Sequence, residues 1–137
     1  MVQFYFLSIV SNLLAGLALS ADYLEEKFPA MENLKGVIST KGARATIGVI
    51  SVISGLFKLL TVTAGDVPVV GDFLPAIGGL GLGSLLLYEL YRERSTVDGG
   101  QTPESVDQTI LRNKPIIGIF GLLVGLVHFL FPRVLFL

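Results

Sequence analysis

The stretch FLSIVSNLLAGLALSADYLEE, residues 6–26, returns without a gap as FLPAIGGLGLGSLLLYELYRE, residues 73–93. Phe6-Leu7 lies over Phe73-Leu74, Leu13 over Leu80, Gly16 over Gly83, Leu19 over Leu86, Asp22 over Glu89 and Glu26 over Glu93. The segments that follow align again. Arg44 lies over Lys114, Ile47-Gly48-Val49 over Ile117-Gly118-Ile119, Gly55-Leu56 over Gly125-Leu126, Lys58 over His128 and Leu60 over Leu130. One two-span unit is therefore written twice, and the repeat sets the architecture before any function is considered.

The spans are residues 4–24, 45–62, 73–91 and 115–131. Each is close to the ~20 apolar residues, rising ~1.5 Å per residue, that a helix needs to cross a bilayer core. Of the 137 residues, 52% are hydrophobic and only 15% charged. Four such segments in so short a chain leave too little polar surface to cover a water-soluble bundle. The expected fold is an all-α integral membrane protein: four transmembrane helices arranged as two tandem, same-orientation hairpins (1–66 and 67–137) within a single membrane domain, joined by short cytoplasmic connector helices. The first span lacks the basic leader of a secretory signal, since no Lys or Arg precedes Lys27, so it is expected to be retained as part of the first hairpin.

Orientation follows from the basic residues. Lys27, Lys35, Lys41 and Arg44 lie between spans one and two, and Arg92, Arg94, Arg112 and Lys114 between spans three and four, eight of the ten in the chain. The positive-inside rule places both loops in the cytoplasm of a plasma (inner) membrane and both termini outside. Tyr23, Tyr88 and Tyr91 fall at the cytoplasmic boundary, where amphipathic rings favour the headgroup layer. Each loop opens on a proline, Pro29 or Pro103, suited to a first helical turn, and Thr102 is a plausible cap. Met31, Leu34 and Ile38 in one loop, and Val106, Ile110 and Leu111 in the other, give each connector an apolar stripe.

Small residues recur at helical spacing: Gly16 with Ser8, Asn12 and Ser20; Gly48 and Gly55 with Ser51; Gly79 and Gly83; and Gly118, Gly121 and Gly125. Lipid supplies no hydrophobic drive between helices, so close backbone approach must hold them, and these positions are the expected packing faces.

A net charge of −1 excludes a nucleic-acid-binding surface. With no cysteine and one histidine, no metal site or redox cofactor is expected. The glycine run at 78–83 follows no strand and carries no lysine, so it is not a phosphate loop.

The candidates for a polar path or ion site are Asn12, Lys58, Asp66, Asp72 and His128. Asn12 lies in the middle of span one and needs a hydrogen-bond partner there. Its repeat counterpart is Gly79, so its polarity is not duplicated. Lys58 and His128 share a repeat position near the outer helix ends, where they either anchor the helix by reaching water or do intramembrane work, Lys58 with Asp66 or Asp72 and His128 as a proton sensor. Asp66 and Asp72 frame a proline-rich outer turn. The matched acids Asp22/Glu89 and Glu26/Glu93 read as interfacial salt bridges rather than an acid–base pair.

With mid-depth positions nearly all apolar or glycine, the first expectation is a small non-enzymatic scaffold or accessory subunit acting through helix packing in the lipid bilayer, self-associated or bound to another membrane protein. The alternative is an oligomeric ion channel or small-solute transporter lined by Asn12, Ser8, Ser11 and small residues of spans two and three, with Asp66 and Asp72 as an outer ring. A headgroup-acting enzyme using Glu26 or Glu93 is the third.

Overall fold

In a computed structural model the protein is all-helical, and the structure describes residues 2–60, 73–94 and 104–131. Helix α1 spans Val2–Lys27. A 3-10 turn at Pro29–Met31 leads into the short helix α2, Glu32–Ile38. Then come α3, Lys41–Leu60; α4, Phe73–Arg94; and α5, Glu104–Leu130. Helices α1, α3, α4 and α5 are each long and apolar enough to span a membrane.

Pro29 opens the turn after α1, as its fixed φ favours. Thr40 caps α3: its Oγ1 accepts the Ala43 N–H at 3.3 Å, relieving one of the donors a helix start leaves unpaired. The second connector departs from expectation. Rather than a separate helix before a span opening at Pro115, α5 runs unbroken from Glu104 with Pro115 inside it. Proline removes a backbone donor and crowds the preceding turn. Here the helix is fastened on both sides of it, by Ile110 and Ile117 against the core and by Lys114 on Glu89.

The helices do not pair most closely within the repeats. α3 packs along α4, and α1 along α5, far more extensively than α1 on α3 or α4 on α5. Within the described residues the backbones of α3 and α5 do not approach each other. Helices α1 and α4 are therefore central, with half of their spanning residues buried, against 28% for α3 and 22% for α5.

The glycines explain the pairing. A β-carbon on Gly83 would meet the Gly48 carbonyl oxygen at 2.7 Å, and one on Gly16 would meet that of Gly118 at 2.7 Å. These two crossings are the same repeat position seen twice. Gly55 and Gly79 abut each other's helices, Gly121 faces Leu82, and Gly125 faces Leu13. All eight glycines expected at packing faces thus meet neighbouring helices of the same chain.

The bundle's two ends differ. Midway and toward the basic end sits an apolar core of Ala15, Leu19, Leu82, Leu85 and Leu86. Outward from α3 and α5, Val49, Ile50, Ile53, Leu56, Phe57 and Leu60, and Ile116, Phe120, Leu123, Leu126, Phe129 and Leu130, are 39 to 70% exposed. Among the buried side chains are Ser8, Ser11, Asn12, Ser20, Ser51, Ser54, Lys58, Glu89 and His128. Toward the end that holds the start of α1, α3 and α5 turn apolar side chains outward while polar ones lie inside.

Candidate functional site

Two helices build a polar column toward the end of the bundle that holds the start of α1. On α1, Tyr5, Ser8 and Asn12 are spaced three and four apart, as are Ser51, Ser54 and Lys58 on α3. At ~1.5 Å per residue each row runs about 10 Å along its helix, and α1 and α3 are antiparallel, so the rows face each other. Ser11 and Ser54 share a hydrogen bond, Oγ to Oγ, of 2.7 Å, and Ser51 Oγ donates to the Ser11 carbonyl at 3.2 Å.

At the top of the column Tyr5 sits against both members of the matched pair Lys58 and His128. Lys58 Nζ lies 5.4 Å from the centre of its ring, a cation–π distance. The His128 ring lies 4.8 Å from the Tyr5 ring, centroid to centroid. Tyr5 Oη donates to the His128 backbone carbonyl at 2.8 Å, tying α1 to the last turn of α5. Lys58 is 4% exposed and His128 0%. The anchoring reading, in which both reach out to water, is therefore not what the structure places here. Both turn inward, and each also sits near a helix C-terminus, where the dipole favours a cation.

Asn12, fully buried, donates from Nδ2 to the Pro75 carbonyl at 3.0 Å, joining the two central helices. It thus has the interhelical bond expected of an amide at mid-helix. Asn12 is joined in the interior by other polar side chains, since Ser8, Ser11, Ser51 and Ser54 are buried as well. Their counterparts in the second repeat are Pro75, Gly78, Gly121 and Val124, so the polarity belongs to one half. Asp66 and Asp72, and with them the expected outer ring and the pairing with Lys58, lie outside the described residues, as do Thr102 and Pro103.

Toward the other end the column gives way to the apolar core, and beyond it the acids close the bundle. Glu89, with a side chain 7% exposed, takes Arg44 Nη2 from α3 on one oxygen and Lys114 Nζ from α5, at 2.9 Å, on the other. Arg44 also reaches Glu93 at 2.8 Å, and Lys114 approaches Asp22 at 3.8 Å. The repeat-matched pairs Arg44–Glu89 and Lys114–Asp22 are both present, and Lys114 crosses to Glu89 besides. Of the matched acids, Asp22, Glu89 and Glu93 form salt bridges, and Glu89 forms its own inside the bundle. On α2, Lys35 holds Asp22 at 2.9 Å and Glu25 at 2.5 Å. The hydrogen bond to Glu25, followed by the one to Asp22, raises the Lys35 amine above its usual range. Of the α2 stripe, Ile38 is buried while Leu34 is 40% exposed. Among the described residues no three His, Asp or Glu converge on a metal-sized site.

An uncharacterized protein family matches the chain over residues 1–128. The chain belongs to that family. The matched stretch takes in the polar column from Tyr5 to His128 and the whole Glu89 cluster. A relative from Treponema pallidum (strain Nichols), an uncharacterized protein, is 27% identical over 138 residues that cover 100% of both chains. No solved structure matches the chain.

Sequence reasoning passed over Tyr5 and Ser54. The signal was there in the matched spacing of Tyr5-Ser8-Asn12 and Ser51-Ser54-Lys58. It becomes a site only once α1 and α3 are known to face each other.

Proposed function

We propose that the protein is a non-enzymatic integral membrane protein that carries or conducts a small solute through the interior of its first repeat. It lies in a plasma (inner) membrane as two same-orientation hairpins, with both termini outside and the basic loops in the cytoplasm. The observation that carries this reading is the polar column running from Lys58, Tyr5 and His128 to Asn12, buried beneath helices that expose Val, Ile, Leu and Phe. Such an arrangement is costly in water, where apolar surface seeks the inside. In lipid it is what satisfied backbone and inward-facing polar groups require. Ionisable groups within membrane helices are rare and mark substrate or ion paths.

The leucine core and the Glu89 cluster give the column a closed cytoplasmic end, the form a gated path takes at rest. Glu89 and Glu93 are engaged by Arg44, Lys114 and Lys41, which leaves them poorly placed for acid–base work. The scaffold reading draws less support from this arrangement. Its glycine faces are spent on helix pairs within the chain, and what remains for a partner or a second copy is exposed apolar surface without those close backbone approaches.

Purified protein in liposomes tests the proposal. Accelerated passage of an ion or a neutral solute over protein-free vesicles is expected. No passage of either, with protein folded and inserted, overturns it and returns the scaffold reading, for which mass measurement in mild detergent is then the decisive step.

A further inference from the structure

Two buried polar atoms in the column, Ser8 Oγ and Asn12 Oδ1, have no hydrogen-bond partner among the described residues. Their residues are 1% and 0% exposed. Leaving a buried polar group unpaired costs ~1–3 kcal/mol, and native proteins satisfy nearly all such groups with protein, water or ligand. The Asn12 amide is not free to turn and relieve the problem. Nδ2 donates to Pro75 O, and the flipped amide would set oxygen against oxygen. Oδ1 is therefore fixed as an acceptor in need of a donor. Ser8 stands one turn away, about 6 Å along the helix, with a hydroxyl that both donates and accepts. Gly78 lies beside them: a β-carbon there would sit 3.0 Å from Asn12 Oδ1, so the glycine keeps the approach to the oxygen open.

Resting on the solute-path reading, we infer that Ser8 and Asn12 form a binding site for a small neutral molecule that donates as well as accepts hydrogen bonds, either water or a short polyol or amide. A halide or other anion without an O–H has no donor for Asn12 Oδ1. A cation would enter past the buried ammonium of Lys58, whose charge opposes it in a low-dielectric setting. A neutral hydroxyl or amide matches both groups.

The test uses full-length protein in liposomes and stopped-flow light scattering. A sucrose jump reads water, and glycerol or urea jumps read the larger neutral solutes; a potassium chloride gradient reads ions. Wild-type vesicles should pass water, or water and glycerol or urea, faster than protein-free vesicles, without passing salt. Ser8→Ala and Gly78→Ala should each lower that rate by about tenfold, the scale of one lost hydrogen bond. Ser8→Ala removes a hydroxyl that bonds nothing among the described residues, so its thermal stability in detergent should not fall, which separates loss of a site from loss of fold. Asn12→Leu should abolish the flux, but it also breaks the bond to Pro75 and is read only if the protein stays folded. Passage of salt without neutral solutes, or wild-type neutral flux in both Ser8→Ala and Gly78→Ala, overturns this inference and leaves the solute path standing. Absence of all flux overturns the path itself.

Discussion

A β-carbon on Gly16 would lie 2.7 Å from the carbonyl oxygen of Gly118, and one on Gly118 would lie 2.7 Å from the carbonyl oxygen of Gly16. The contact is reciprocal, so α1 and α5 meet backbone to backbone. Dispersion at that range, rather than any hydrophobic drive, holds such pairs in lipid. The same crossing recurs where Gly83 meets Gly48.

Gly16→Ala, Gly118→Ala or Gly83→Ala should each lower stability by ~1–3 kcal/mol, because a backbone rather than a side chain must move aside. Gly36→Ala, Gly42→Ala and Gly81→Ala, with nothing within 4 Å of the added carbon, should be neutral or slightly stabilising. Thermal unfolding in detergent ranks the six. Gly79→Leu and Gly83→Leu should disturb folding itself, not merely assembly.

Glu89→Ala should be the most damaging single change at the charged end. It takes the buried carboxylate from both cations, leaving Arg44 to Glu93 and Lys114 to Asp22 at 3.8 Å, a loss of ~3 kcal/mol, the low end for breaking a buried pair. Arg44→Met should cost less, since Lys114 stays on Glu89. Because the groups share one cluster, Glu89→Ala with Arg44→Met should cost less than the two changes added, as a double-mutant cycle of unfolding measures.

Tyr5→Phe removes only the hydroxyl donated to His128 O and should cost ~0.5–1.5 kcal/mol. Tyr5→Ala also removes the ring against which Lys58 and His128 pack, and should cost ~3–5 kcal/mol by the usual measure of aromatic truncation. Near-equal losses in the two variants would show that the ring contacts count for little.

The pairing of Lys35 with Glu25 and Asp22 has a definite pH signature. Its folded-state pKa is raised above the ordinary 10.5, so the stability it lends is fully present below that value. It is lost as pH rises through the raised folded-state value. Limited proteolysis of the segment around α2 should quicken across that alkaline window, and Lys35→Met should remove the pH dependence.

Because the chain has no cysteine, single reporters give a clean reading of topology. Gly36→Cys and Gln101→Cys should react with a membrane-impermeant maleimide only from the cytoplasmic side, and Ala64→Cys only from outside. The reverse pattern would invert the orientation drawn from Lys and Arg.

Much of the fold was legible in the order of residues. Helix identity, the position of four apolar spans and the doubled unit depend on neighbours in sequence, and hydropathy and spacing report them directly. The eight packing glycines were legible too, as positions where a helix can be approached closely. Pro115 opens the fourth span by hydropathy, but it does not begin a helix, because contacts at Ile110, Lys114 and Ile117 keep the helix going through it.

What tertiary structure alone decided is which face meets which. Gly16 could have served a second copy of the chain; it serves Gly118. Ser54 is one more small residue on span two until α3 sets it against Ser11, and Glu89 is one more interfacial acid until α3 and α5 bring it Arg44 and Lys114. Local propensity and hydropathy add up along the chain, so sequence reports them. Helix pairing is a competition among faces of nearly equal apolarity, decided by backbone approach and by buried polar groups finding partners many residues away.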